Sequence, residues 1–174
     1  MACRLKKILL LGQKPLLNHT LNQYIMTTLV FKIHIRALAA KVWNCLWESE
    51  NYKQWTAAFS ESSHYKTDHF AEGNSIHFLS ADGHGMFSII EKLQENRFIL
   101  FRHKGELINF AEQSVNEAQD WFNAAESYEL IPQQGFIELV VSVDTIEAYE
   151  SYMNATFPKA LETVKSMAEG ANNS

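Results

Sequence analysis

The sequence predicts an α+β fold in which a curved antiparallel sheet closes around one long C-terminal helix. Three observations carry that expectation. Apolar stretches of strand length follow one another through the middle of the chain with short turns between them, which favours antiparallel pairing. Two short helical stretches precede most of them. At the end, Tyr149, Met153, Phe157, Leu161, Val164 and Ala168 fall at steps of three and four, giving one helix with a continuous apolar stripe.

In order along the chain, residues 29–35 alternate, with Leu29, Phe31, Ile33 and Ile35 on one face and Lys32 and His34 on the other. Residues 37–47 place Val42, Trp43, Leu46 and Trp47 at helical spacing, and 49–59 continue as a second short helical turn containing Trp55. Strands are expected near 64–66, 75–79, 86–91 and 98–103, with Asp82, Gly83 and Gly85 marking one tight connection and Gln94, Glu95 and Asn96 the next. Polar residues 105–120 read as a surface loop with a helical turn near 114–118. Two more strands follow at 121–131 and 136–143, separated by Pro132 to Gly135 as a turn. The terminal helix starts near Thr145, should kink at Pro158, and stops at Gly170.

A chain of 174 residues, 47% apolar and 20% charged, can bury a full core without metal or disulfide staples. Residues 1–47 hold seven of the fifteen Lys and Arg and none of the twenty Asp and Glu, so the body beyond is acidic. That distribution, with no basic cluster after Lys41, argues against nucleic acid as a partner. No apolar run approaches the roughly 20 residues that span a bilayer, so no membrane insertion is expected. Cys3 and Cys45 lack metal-ligand spacing, and Cys45 reads as a small buried thiol, which fits a reducing cytoplasm. Residues 1–25 mix Arg4, Lys6, Lys7 and Lys14 with aliphatic residues, but the apolar run is shorter than the ~7–15 residues of a secretory core and Pro15 interrupts it. They read as a loose extension or a misplaced start, with a docked helix as the alternative. The domain itself is placed at 26–170 and a frayed tail at 171–174.

The residues also resemble a known family. "ALAAKVWNCLWESENYKQW" at 37–55 looks like the strand-to-helix opening of the SRPBCC or START-like superfamily, in the branch related to the activator of the ninety-kilodalton heat-shock chaperone ATPase. Further likenesses are "GNSIHF" at 73–78, "DGHGMFSIIEKL" at 82–93, "AESYEL" at 125–130 and "FPKALETVK" at 157–165. The resemblance implies a helix-grip fold. It implies no single activity, because such domains include lipid carriers, hormone receptors and polyketide cyclases. A chaperone joins a small apolar molecule as a partner the resemblance would allow, in a monomer or a homodimer.

Strand parity selects candidate site residues. With Lys32 and His34 outward, the face toward the helix receives Met86, Ser88 and Ile90 from one strand and Ile99, Phe101 and His103 from its neighbour. Tyr128 and Leu130 look like a buried pair, and period two then turns Glu126 inward. Ser88, His103 and Glu126 would share one cavity. A hydroxyl, an imidazole and a carboxylate can perform acid–base chemistry of the cyclase or hydratase kind. Three such groups more often orient a ligand or hold trapped water. Trp55 and Trp121, at loop junctions, are placed at the cavity mouth, Met153 and Phe157 on its helical wall, and Trp43 and Trp47 in the core. Five histidines between positions 64 and 103 raise the question of a metal, but none forms a HExxH motif, and no metal is expected. The seven glycines form no phosphate-binding loop, and no cofactor is expected. The sequence thus points to binding of a small, largely apolar ligand between sheet and terminal helix. A protein-interaction module is one alternative, and an enzyme using Glu126 and His103 is another.

Overall fold

The computed structural model describes residues 26–115 and 121–170. The readings made for 1–25, for most of the turn at 114–118 and for 171–174 lie outside them. The chain opens with β1 (Met26–Ile35), whose burial alternates residue by residue as the sequence pattern requires. Two short helices follow, α1 (Ala39–Trp47) and α2 (Ser49–Thr56). Glu48 between them has an extended backbone, which breaks the helix and makes a corner. That corner is held by the Trp55 indole, which donates to the Leu46 carbonyl at 3.0 Å, and by the Tyr65 hydroxyl, which donates to the Trp47 carbonyl.

The strands are β2 (His64–Lys66), β3 (Ser75–Leu79), β4 (Gly85–Gln94), β5 (Phe98–Ile108), β6 (Ala111–Glu112), β7 (Ala125–Gln133) and β8 (Phe136–Ile146). They form one antiparallel sheet in the order β1-β8-β7-β5-β4-β3-β2, with β6 folded back onto β5. The tight approach of β4 to β3 depends on Gly85, where a Cβ would lie 1.9 Å from the Phe78 carbonyl oxygen. The expected loop from 105 onward is corrected in its first part. β5 continues to Ile108 and returns through a turn in which Asn109 and Phe110 both have positive φ, 52° and 65°. No glycine announces that turn. β7 also starts later than expected, because Trp121 lies in a turn that ends at Asn123 with φ 62°.

Helix α3 (Glu147–Gly170) runs unbroken through Pro158. Its stripe residues Tyr149, Met153, Phe157, Leu161, Val164 and Ala168 are all buried. Phe157 sits at the centre, fully buried, stacked on Phe31 with ring centroids 4.7 Å apart and edge-on to Phe59 at 4.9 Å. Two side chains of the last turns pin α3 to the end of β1: Lys165 Nζ donates to the His34 carbonyl at 2.8 Å, and Glu169 accepts from the Arg36 amide at 2.7 Å. Among the described residues no helix is long and apolar enough to cross a membrane. Cys45 is buried, and burial pushes its thiol up, away from reactivity.

Candidate functional site

Register between β4 and β5 decides which side chains reach the interior. Ser88 pairs with His103 and Ile90 with Phe101, while Lys104 and Glu91 are extra residues without a partner, one in each strand. The expected inward set therefore stays in phase between the two bulges. Beyond Lys104 the parity of β5 flips, which sets Glu106 opposite Met86 and turns Gly105 to the outer face beside Phe87. On β7, Glu126, Tyr128 and Leu130 alternate inward, as their spacing predicts.

These strands gather a polar cluster inside an aromatic core. Ser88 Oγ lies 2.8 Å from His103 Nδ1, and His103 Nε2 lies 3.5 Å from Glu126 Oε2. Glu126 Oε1 accepts from the Tyr128 hydroxyl at 2.5 Å. The His103 and Glu126 side chains are only 6% and 10% exposed. The imidazole thus stands between the Ser88 hydroxyl on one side and the Glu126 carboxyl on the other.

A cavity of about 20 Å³ lies against this cluster, lined by Trp47, Tyr52, Trp55, Thr56, Phe59, Phe78, Met86, His103, Glu126 and Tyr128. Its position corrects the sequence reading, which placed the cavity between sheet and terminal helix. The walls come from the sheet and the α1–α2 corner, with no contribution from α3, because Met153 and Phe157 fill the junction between sheet and terminal helix. At that volume it accommodates about one water molecule. Of the residues singled out from sequence, Trp55, Met86, His103, Glu126 and Tyr128 line it. Trp55 is a buried wall residue rather than part of a mouth. Ser88 stands behind His103, and Ile90, Phe101, Met153 and Phe157 belong to the surrounding core. Trp121 is half-buried in the turn before β7, away from the walls. Sequence reasoning missed Tyr52, Thr56, Phe59 and Phe78, and assigned Trp47 to the core alone. The Trp47 indole Nε1 is buried without a hydrogen-bond partner among the described residues, a cost that most buried donors avoid.

Burial, reinforced by the Glu126 carboxylate and its hydrogen bond, holds the Tyr128 phenol well above its ordinary value of 10.0. Tyr52 is held up the same way, by burial first and Glu126 second. Both phenols stay protonated. As pH rises past about 10 the unfolded chain loses these protons while the folded chain keeps them. The stabilisation is therefore complete below that pH and is lost as pH climbs toward the folded-state values. Tyrosinate absorbance should show a class that ionises only on unfolding, and Tyr128→Phe should flatten the alkaline loss of stability. An alkaline midpoint unchanged in Tyr128→Phe would contradict this.

An antiparallel sheet curved against a long C-terminal helix is the helix-grip α+β architecture. Solved structures agree. The Aha1 dimer from Colwellia psychrerythraea superposes with a TM-score of 0.61 at 16% identity, over 84% of this chain and 99% of that one. CalU16 from Micromonospora echinospora gives 0.57 at 12% identity, over 81% of this chain and 75% of that one. DynU16, from the dynemicin biosynthetic locus, gives 0.57 at 13% identity, over 79% of this chain and 45% of that one. The chain therefore has the SRPBCC/AHSA-like fold, and likeness at these identities speaks for the fold alone. No family model and no curated protein matches the sequence. Among the described residues no group of three or more His, Cys, Asp or Glu is gathered as metal ligands would be.

Proposed function

We propose that this domain binds a small, largely apolar molecule carrying one hydrogen-bonding group, in the space between the sheet and the α1–α2 corner, in a reducing cytoplasm. The observation that supports it most is the buried His103–Glu126–Tyr128 set facing a cavity whose other walls are mainly aromatic. Placing an imidazole and a carboxylate in such a core costs several kcal/mol before pairing offsets it. A ligand that uses them gives that cost a purpose. The unpartnered Trp47 N–H supplies a donor for the same ligand.

Pockets that enclose drug-sized ligands run to about 300–1,000 Å³, so anything larger than a water must displace side chains here. Met86, unbranched and half-buried, is the wall residue best suited to move. An aromatic ring with a hydroxyl matches the walls: the ring meets Trp47, Tyr52 and Phe78, and the hydroxyl can donate to Glu126. A graded panel from phenol to naphthol should quench the fluorescence of Trp47 and Trp55 in a saturable way. Met86→Trp should abolish the saturable quenching by added phenols while leaving the circular dichroism spectrum intact. Absence of saturable quenching by every member of the panel would reject the reading.

A further inference from the structure

Strand β1 is an edge of the sheet, pairing only with β8 among the described residues. The phase of the ladder shows which backbone groups face outward. On β7 the Leu130 amide donates to the Arg97 carbonyl, on the side toward β5, at 2.7 Å, so even-numbered β7 residues turn to β5 and odd-numbered ones to β8. Glu129 and Ile131 pair with Val140 and Glu138, which places the backbone groups of even-numbered β8 residues toward β7. Their β1 partners, Thr28, Val30, Lys32 and His34, consequently present N–H and C=O to the outer edge. The Lys165 bond to the His34 carbonyl agrees with this phase and caps one end of the edge. From Thr28 to Lys32 no such cap exists among the described residues.

The side chains of this stretch are unusual for an open edge, which natural sheets blunt with charges, proline or bulges. Over ten residues β1 has one lysine, no proline and an unbroken register, and its Val30 is 54% exposed. We propose that β1 pairs antiparallel with β1 of a second copy of this chain, about a twofold axis at Val30, joining the two sheets.

Only registers that pair residues of like parity keep both interior faces on one side. An axis at Lys32 sets two ammonium groups against each other. An axis at Val30 sets Lys32 opposite Thr28 of the other copy, whose hydroxyl is bonded to the Asp144 carboxylate at 2.6 Å. Among the described residues of its own chain, a carboxylate oxygen of Glu138 lies 4.0 Å from Lys32 Nζ. The same register lays the half-buried Leu29 of each copy against the half-buried Phe31 of the other. Charge and apolar surface are thus both self-complementary.

Sedimentation of the full chain over a concentration series tests this. A dimer is expected. Val30→Lys, which puts like charges on the axis at an exposed position, should weaken it by about tenfold or more with an unchanged circular dichroism spectrum. Mixing Val30→Lys with Val30→Glu chains should restore association. A monomer at every concentration overturns the proposal, and if its Thr28, Val30 and Lys32 amides are protected from exchange, residues 1–25 cover the edge instead. A dimer indifferent to Val30→Lys overturns it equally.

Discussion

Phe157→Ala should lower the unfolding free energy by about 3–5 kcal/mol, as truncation of a fully buried aromatic does. The size follows from position. Phe157 is fully buried in the middle of α3 and touches both other layers, stacked on Phe31 of β1 and edge-on to Phe59 beyond α2. Neither neighbour can collapse into the space, since Phe31 is held in the β1–β8 ladder and Phe59 follows the α1–α2 corner. Against a typical total of about 5–15 kcal/mol, such a loss is a large share of the stability. Urea unfolding followed by circular dichroism measures it. A loss below about 1 kcal/mol would mean that α3 is not the central packing element described here.

Glu126→Ala should cost a comparable amount, about 3–5 kcal/mol, for an electrostatic reason. The carboxylate joins two buried groups, accepting from Tyr128 at 2.5 Å and facing His103 Nε2 at 3.5 Å. Removing it strands a hydroxyl and an imidazole in an aromatic core, where each unpaired polar group carries its own desolvation cost of about 1–3 kcal/mol. Glu126→Gln keeps an acceptor for Tyr128 and should recover most of the loss. A double-mutant cycle of Glu126→Ala with His103→Phe should show coupling, because the second change removes one stranded partner. Strict additivity would mean that the two side chains do not interact.

Much of this arrangement was legible in the sequence, for a definite reason. Period-two alternation places Met86, Ser88, Ile90, Ile99, Phe101, His103, Glu126 and Tyr128 on one face, and it held because both bulges fall at residues flanking the set, Lys104 and Glu91. The C-terminal stripe was equally plain, since steps of three and four along 24 residues admit one helix. The β5–β6 hairpin was hidden because Asn109 and Phe110 adopt positive φ without glycine. The late start of β7 was hidden by Asn123 in the same way. Helical periodicity marked Trp47 as buried but said nothing of the void beside it, and it did not mark Tyr52 or Phe59. Where a cavity lies, and whether it holds one water or a ring, depends on the summed volumes of side chains from elements distant in sequence. No local pattern encodes that sum.

The two bonds from Lys165 and Glu169 to the end of β1 have a consequence for how the helices can move. At its other end α3 follows β8 without a break, so a rod about 36 Å long is bolted at both extremities. A bar held that way cannot swing like a door. Movement within this layer therefore falls to the two short helices packed beside the rod, and the stiffness of their corner is set by Trp55 and Tyr65.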